Sequence, residues 1–253
     1  MNRIVMITGA SSGIGEACAE EFARNGDHLI LTGRRKDRLD IIKDSIIERY
    51  RVRVHVLVFD VQIKKEVFAS VDSIPPEWQA IDILVNNAGL ALGRDYFDEA
   101  DIEDWETMFN TNVYGLIYVS KAVLPFMTAR KRGHIINIGS VAAKEIYEKG
   151  NAYCASKAAV DALSKSMRID LLQHHIKVTA IHPGAVLTEF GEVRFKGDKD
   201  KAMKVYDGFA PLAASDVAGA IIYCCNLPEN VCINDLVITC TRQANAIYFN
   251  RES

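Results

Sequence analysis

Apolar residues along the chain fall into two alternating rhythms. Short runs rich in Ile, Val and Leu are separated by longer stretches in which apolar residues return every three or four positions. The short runs are 4–8, 28–32, 52–59, 83–86, 134–138, 177–181 and 236–239. Several are apolar at successive positions, as strands covered on both faces must be. Between them the spacing predicts helices, for example over 13–25, 38–49 and 152–174. This alternation predicts a parallel, doubly wound α/β sheet of seven strands with helices on both faces. No internal repeat, low-complexity tract or Pro/Gly/Ser linker interrupts it, so 1–253 reads as a single domain.

One stretch breaks the rhythm. About thirty residues separate the strand ending near Ile181 from a helix starting near Ser215, and in a compact domain such a connection is a binding loop, a lid or a disordered segment. A short helical pattern near 200–206 favours a substrate lid over about 188–214.

Composition removes several function classes. A net charge of -3 gives no basic footprint for nucleic acid. No apolar run is long enough to span a membrane, and the N-terminus enters a strand without a secretory apolar region. The six cysteines show neither Cys-x-x-Cys spacing nor a nearby His cluster, so they read as buried thiols in a reducing cytoplasm, and no metal site is expected.

Chemistry first shows after strand one, in Thr8-Gly9-Ala10-Ser11-Ser12-Gly13-Ile14-Gly15. Gly9 suits a tight exit from the strand, Gly13 a close backbone approach to a pyrophosphate, and Gly15 close packing of helix on sheet. The helix that follows offers free N–H groups to phosphate. Such a loop in this place predicts a dinucleotide site in a Rossmann-type fold. At the end of strand two, Gly33-Arg34-Arg35-Lys36 has no acid to hold ribose hydroxyls before Asp37. Two arginines can instead grip a 2′-phosphate, which points to NADP, with Arg34 placed first and Arg35 second. Asp60-Val61 and Asn86-Asn87-Ala88-Gly89 end strands three and four on the same crevice.

Ser140 follows the fifth strand, and Tyr153 and Lys157 lie four residues apart on a helix, one turn from each other. An ammonium beside a phenol favours the phenolate, which could take a proton from an alcohol or return it to a carbonyl. By itself a Tyr and a Lys one turn apart is an ordinary helix surface pair.

Together these segments, in this order and spacing, resemble the short-chain dehydrogenase/reductase family over nearly the whole chain. Pro183-Gly184 after strand six and Thr188 beyond it fit the same pattern. The resemblance implies a catalytic tetrad of Asn112, Ser140, Tyr153 and Lys157, with Asn112 supporting a proton relay and Lys157 binding the nicotinamide ribose. It implies cofactor contacts from Gly9, Ser11, Ser12, Gly13, Ile14, Gly15, Arg34 and Arg35. Asp60, Val61, Asn87, Ala88 and Gly89 would continue them, with Tyr153, Lys157, Pro183, Gly184, Val186 and Thr188 at the nicotinamide end. It also implies a homotetramer built through the long helices.

The segment 188–198 and the tail 227–234, with Thr241-Arg242-Gln243 after it, are similar to the branch of the family that oxidises 3-hydroxy acids such as serine, L-allo-threonine or 3-hydroxypropionate. Ser140 and Tyr153 would hold the substrate oxygen. Arg194, and with it Lys196, is either a lid cation for a carboxylate or a solvated loop charge. The loop 141–152, with Lys144, Glu145, Glu148 and Lys149, is more charged than that branch leads one to expect. Competing readings are a 3-oxoacyl-thioester or general carbonyl reductase and a non-catalytic dinucleotide-binding sensor.

Overall fold

The computed structural model describes residues 2–252. The seven expected strands all form. They are β1 (Ile4–Thr8), β2 (His28–Gly33), β3 (Val54–Val58), β4 (Ile81–Asn86), β5 (Gly133–Ile138), β6 (Ile176–Pro183) and, after two short strands, β9 (Asp235–Ile238). They pair in parallel in the order β3-β2-β1-β4-β5-β6-β9. The short strands β7 (Val186–Leu187) and β8 (Leu212–Ala213) pair with each other at the two ends of the lid segment.

Strand side chains alternate between the two faces of a sheet. Val5 and Ile7 of β1, Leu29 and Leu31 of β2, and Ile136 and Ile138 of β5 enter one core. Ile4 and Met6, Ile30, and Ile135 enter the other. The runs are largely apolar because both faces of the sheet are covered, and the polar exceptions Thr32, His134 and Asn137 are buried as well. Helices α1 (Gly13–Arg24), α2 (Lys36–Tyr50) and α9 (Ala214–Cys225) cover the first face. Helices α3 (Lys64–Asp72) and α5 (Leu116–Arg130) cover the second. Helix α4 (Ile102–Phe109) runs into α5 through a π turn, Asn110–Gly115, and α6 (Asn151–Asp170) follows β5. The lid carries α7 (Phe190–Arg194), which no periodicity foreshadows, and α8 (Lys199–Lys204), close to the expected 200–206.

Strand order reverses between β1 and β4, and there the loops leave in opposite directions and open a crevice. Two side chains hold the rift together. The Thr8 hydroxyl accepts from the Asn87 and Ala88 amides, each at 3.0 Å, and the Asn87 side chain donates to the Thr8 carbonyl at 2.8 Å.

His134 on β5 is buried in this sheet. The Thr179 hydroxyl donates to the Ile233 carbonyl, so it accepts from the ring, and His134 carries its proton on Nε2, 2.8 Å away. Burial first, then Lys177 and Arg3, pull the His134 pKa down to about 3. An unfolded histidine protonates near 6.5, so between that pH and about 3 only the unfolded chain gains the proton, and stability falls as pH falls. The loss reaches about 2 kcal/mol at pH 5. In urea unfolding at pH 7 and pH 5, His134→Gln should lose less stability than the parent, by up to that amount.

Candidate active site

The crevice is a continuous cleft of about 340 Å³ running from Gly9 to Phe190. At one end stands the glycine loop. Gly9 takes φ +64°, and a Cβ there would lie 3.0 Å from the Ala88 Cα. Gly15 does not line the cleft. A Cβ on it would stand 2.3 Å from the Gly9 carbonyl oxygen, so its part is to let α1 pack against the strand exit. Ser12 opens α1 in extended conformation without capping the helix through its side chain.

The two serine hydroxyls face an arginine instead. Arg35 donates to the Ser11 hydroxyl at 2.9 Å and to the Ser12 hydroxyl at 2.8 Å. It also pairs with Glu189 at 3.1 Å, and Arg38, inside α2, pairs with the same carboxylate at 2.6 Å. Arg34 turns away to Asp60 at 3.3 Å and leaves most of its side chain in solvent. Arg35 is thus built into the glycine loop, and Arg34, which the sequence placed first, is on the rim of the cleft. Asp60, Val61, Asn87, Ala88 and Gly89 line the middle of the cleft, and Pro183, Gly184, Val186 and Thr188 line its far wall.

Ser140 leaves β5 in extended conformation, and its hydroxyl oxygen accepts the Ala142 amide at 3.1 Å. The Ser140 side chain also acts on the Tyr153 phenol, favouring its ionised form. Lys157, one turn further on α6, is buried and donates to the Ile138 carbonyl at 2.9 Å. Burial alone pulls its pKa down to about 8. Asn112 sits in the π turn. Its amide donates to the Leu90 carbonyl at 2.8 Å and to the Ser156 hydroxyl at 3.0 Å, and its carbonyl accepts the Leu90 amide at 2.8 Å. Asn112 and Lys157 meet over Gly89, where an added Cβ would lie 3.2 Å from one and 3.4 Å from the other.

Burial first, then Tyr147, push the Tyr153 pKa up, and Ser140 and Arg194 offset only part of that rise.

Arg194 comes from the lid to the same point. Its guanidinium lies 5.5 Å from the Tyr153 ring centre, donates to the Tyr147 hydroxyl at 3.0 Å, and is fastened through its backbone carbonyl to the Gly93 amide at 2.9 Å. Among the described residues no carboxylate pairs with it. Lys196, its companion in sequence, is instead tied to Asp104 at 2.8 Å. Phe190 closes the wall, 5.7 Å from Tyr153. Sequence reasoning passed over Tyr147, Phe190, Glu189 and Arg38. Only Tyr147 carried a signal, as a lone large aromatic in a charged loop. Away from the cleft, the potential metal ligands Asp161, His182 and Asp235 come together, but the Lys144 ammonium sits between the two carboxylates at 3.0 and 2.7 Å.

Comparison with known proteins places this geometry. A family model described as short chain dehydrogenase matches residues 3–199. The chain is 47% identical to an NADP-dependent 3-hydroxy acid dehydrogenase, YdfG, of Salmonella typhi, over 91% of this chain and 92% of that protein. It is 43% identical to sulfoacetaldehyde reductase 2 of Chromohalobacter salexigens, over 96% of each. Among solved structures, the closed form of a serine dehydrogenase complexed with NADP+ superposes with a TM-score of 0.92 at 43% identity, covering 99% of this chain and all of that one.

The close approach at Gly15 has a direct test. Gly15→Ala forces a Cβ into the Gly9 carbonyl and should cost about 1–3 kcal/mol or more in urea unfolding. Gly219→Ala, on α9 with nothing near the added methyl, should be neutral or stabilising by up to about 1 kcal/mol.

Proposed function

The chain belongs to the short-chain dehydrogenase family, and from that premise we propose that it is an NADP-dependent oxidoreductase acting on the hydroxyl of a 3-hydroxy acid, or on the matching carbonyl. One observation carries the substrate class. A guanidinium without a carboxylate partner lies 5.5 Å from the ring centre of Tyr153, next to Val193 and Phe190 of the cleft wall. A cation so placed gains from an anionic substrate group, and the planar fork of Arg194 suits a carboxylate.

The residues fit the cofactor. Arg35 and Arg38, with Ser11 and Ser12, offer two guanidinium groups for a 2′-phosphate, which would take the place Glu189 now holds between them, and Gly9 leaves room for a close backbone approach. When bound, NADP supplies or takes up the hydride. In reduction Tyr153 gives its phenol proton to the carbonyl oxygen; in oxidation it first releases that proton toward Lys157 and solvent, and the phenolate then takes the proton of the substrate hydroxyl. Ser140, whose oxygen is held by the Ala142 amide, keeps the substrate oxygen in line with Tyr153. Lys157 holds the nicotinamide ribose. Asn112 pins the π turn beside Lys157, where protons pass between the site and solvent. Segment 188–214 acts as the lid that brings Arg194 over the substrate.

The same chain would work as one domain, in the cytoplasm, as a homotetramer. The exposed apolar side chains of Tyr114, Ile169, Leu172 and Val237 favour burial against further copies, and all six cysteines are unpaired. Among the described residues no helix is long and apolar enough to cross a membrane. The partner in turnover is a small molecule; with a net charge of -3, nucleic acid is not one.

A panel of 3-hydroxy acids, serine and threonine isomers and simple ketones, followed by NADP(H) absorbance, tests the reading. Fastest turnover on neutral ketones or on acyl thioesters would replace it with the corresponding reductase, and no turnover at all with a binding protein. Tyr153→Phe should lower kcat by about 10²–10⁴-fold and leave NADP affinity in place. Arg194→Ala should raise KM for the hydroxy acid at least about tenfold more than for a neutral alcohol. For the cofactor, Arg35→Ala should raise KM for NADP about 10–100-fold and leave that for NAD nearly unchanged, while Arg34→Ala changes either by less than about threefold.

A further inference from the structure

His182 is the penultimate residue of β6, directly behind the cleft, with its side chain fully buried. Its ring lies on the backbone that leads into Ser140. A Cβ at Gly139 would stand 2.5 Å from Nδ1 and 2.6 Å from Cε1. Nδ1 is 3.3 Å from the Ser140 amide nitrogen and 3.1 Å from the Ser140 carbonyl oxygen. That carbonyl already accepts the Ala143 amide at 2.9 Å. At the other edge Nε2 has no hydrogen-bond partner and faces two carboxylates, Asp161 at 3.6 Å and Asp235 at 3.5 Å.

The two edges choose one tautomer. With the proton on Nδ1, the ring would donate to the Ser140 carbonyl, which the Ala143 amide already occupies, but would set the same N–H against the Ser140 N–H and turn a bare lone pair toward two anions. With the proton on Nε2, Nδ1 accepts from the Ser140 amide and the positive edge of the ring faces Asp161 and Asp235. Lys144 lies between those carboxylates, and Lys165 pairs with Asp161 at 2.8 Å. The cations neutralise the acids, so the ring need not be charged. They also take the place that a metal ion would need. Burial and Lys144 both lower the His182 pKa, outweighing the two acids and the Ser140 contact.

We propose that His182 is a positioning residue for Ser140: its neutral Nε2–H tautomer, held by Asp161, Asp235 and Lys144, anchors the Ser140 amide and so fixes where the serine hydroxyl stands. The proposal rests on the catalytic reading of Ser140 given above. It also gives the charged loop after Ser140 a task, since Lys144 completes the brace from that loop.

Two substitutions separate the ring's edges. Asn at this position presents a polar atom near the place of Nδ1, and Gln near that of Nε2. His182→Asn should keep kcat within about threefold of the parent, whereas His182→Gln should lose about tenfold or more in kcat with KM for NADP unchanged, since small displacements of a reacting group are costly. Thermal midpoints of both are measured alongside. Equal kcat in the two variants, or losses that follow the thermal midpoint instead of the retained edge, would overturn the proposal. Nitrogen-15 NMR of the histidine-labelled parent reads the tautomer directly and needs no variant to fold: an Nε2–H signal for His182 at neutral pH supports the brace, and an Nδ1–H or doubly protonated ring sinks it. Ser140→Ala keeps the two claims apart. If it loses turnover while His182→Gln does not, His182 alone fails. If Ser140→Ala retains turnover, the catalytic reading of Ser140 fails and takes the proposal with it.

Discussion

A parallel sheet constrains everything built on it. Each strand must return to the same edge before the next begins, so every connection crosses a face, and all seven carboxyl ends arrive on one side. Where the order reverses, between β1 and β4, the outgoing loops part and leave a crevice that no strand fills. The glycine loop, Asn87, Ser140 and Pro183 stand together for this reason, although they are distant in sequence. The Thr8–Asn87 hydrogen bonds are the stitch across the rift, and the cleft depends on their holding β1 and β4 in register.

Burial then sets the electrical character of the cleft. It favours the uncharged form of every group it covers. Lys157 is drawn toward neutrality and Tyr153 toward its phenol form, and both effects come from desolvation ahead of any neighbouring charge. Arg194 brings its guanidinium against an aromatic wall of Tyr147 and Tyr153, beside the buried phenol.

Much of this was legible before any coordinate. Strands buried on both faces announce themselves by unbroken apolar runs, so β1 and its neighbours were placed within two residues or so. The glycine loop, Ser140, Tyr153 and Lys157 were legible because their spacing along the chain is itself the signal. What remained hidden has a physical reason in each case. Strand pairs of two residues and a helix of five, as in β7, β8 and α7, are too short to show a period. The different settings of Arg34 and Arg35 could not be read along the chain, since Ser11, Ser12 and Glu189 reach Arg35 from other elements. The lid cations part company for a similar reason, as Asp104 on α4 claims Lys196 and leaves Arg194 to Tyr147 and Tyr153.

The π turn between α4 and α5 has a consequence for the length of the chain. The helical path from Ile102 to Arg130 is continuous, but in Asn110–Gly115 it takes up one residue more per turn than its flanks do. Each residue of an α-helix turns the chain by about 100°. The wider turn therefore sets the angle between the face of α4 that buries Met108 and the face of α5 that buries Val119, Val123 and Met127. Because the wide turn spends one residue more on the same rotation, a single deletion within it would let a regular turn close with both faces still inward, whereas a deletion inside α4 or α5 would turn one face by about 100°. The residue that the packing can spare therefore lies in the turn that carries Asn112 to Leu90 and Ser156.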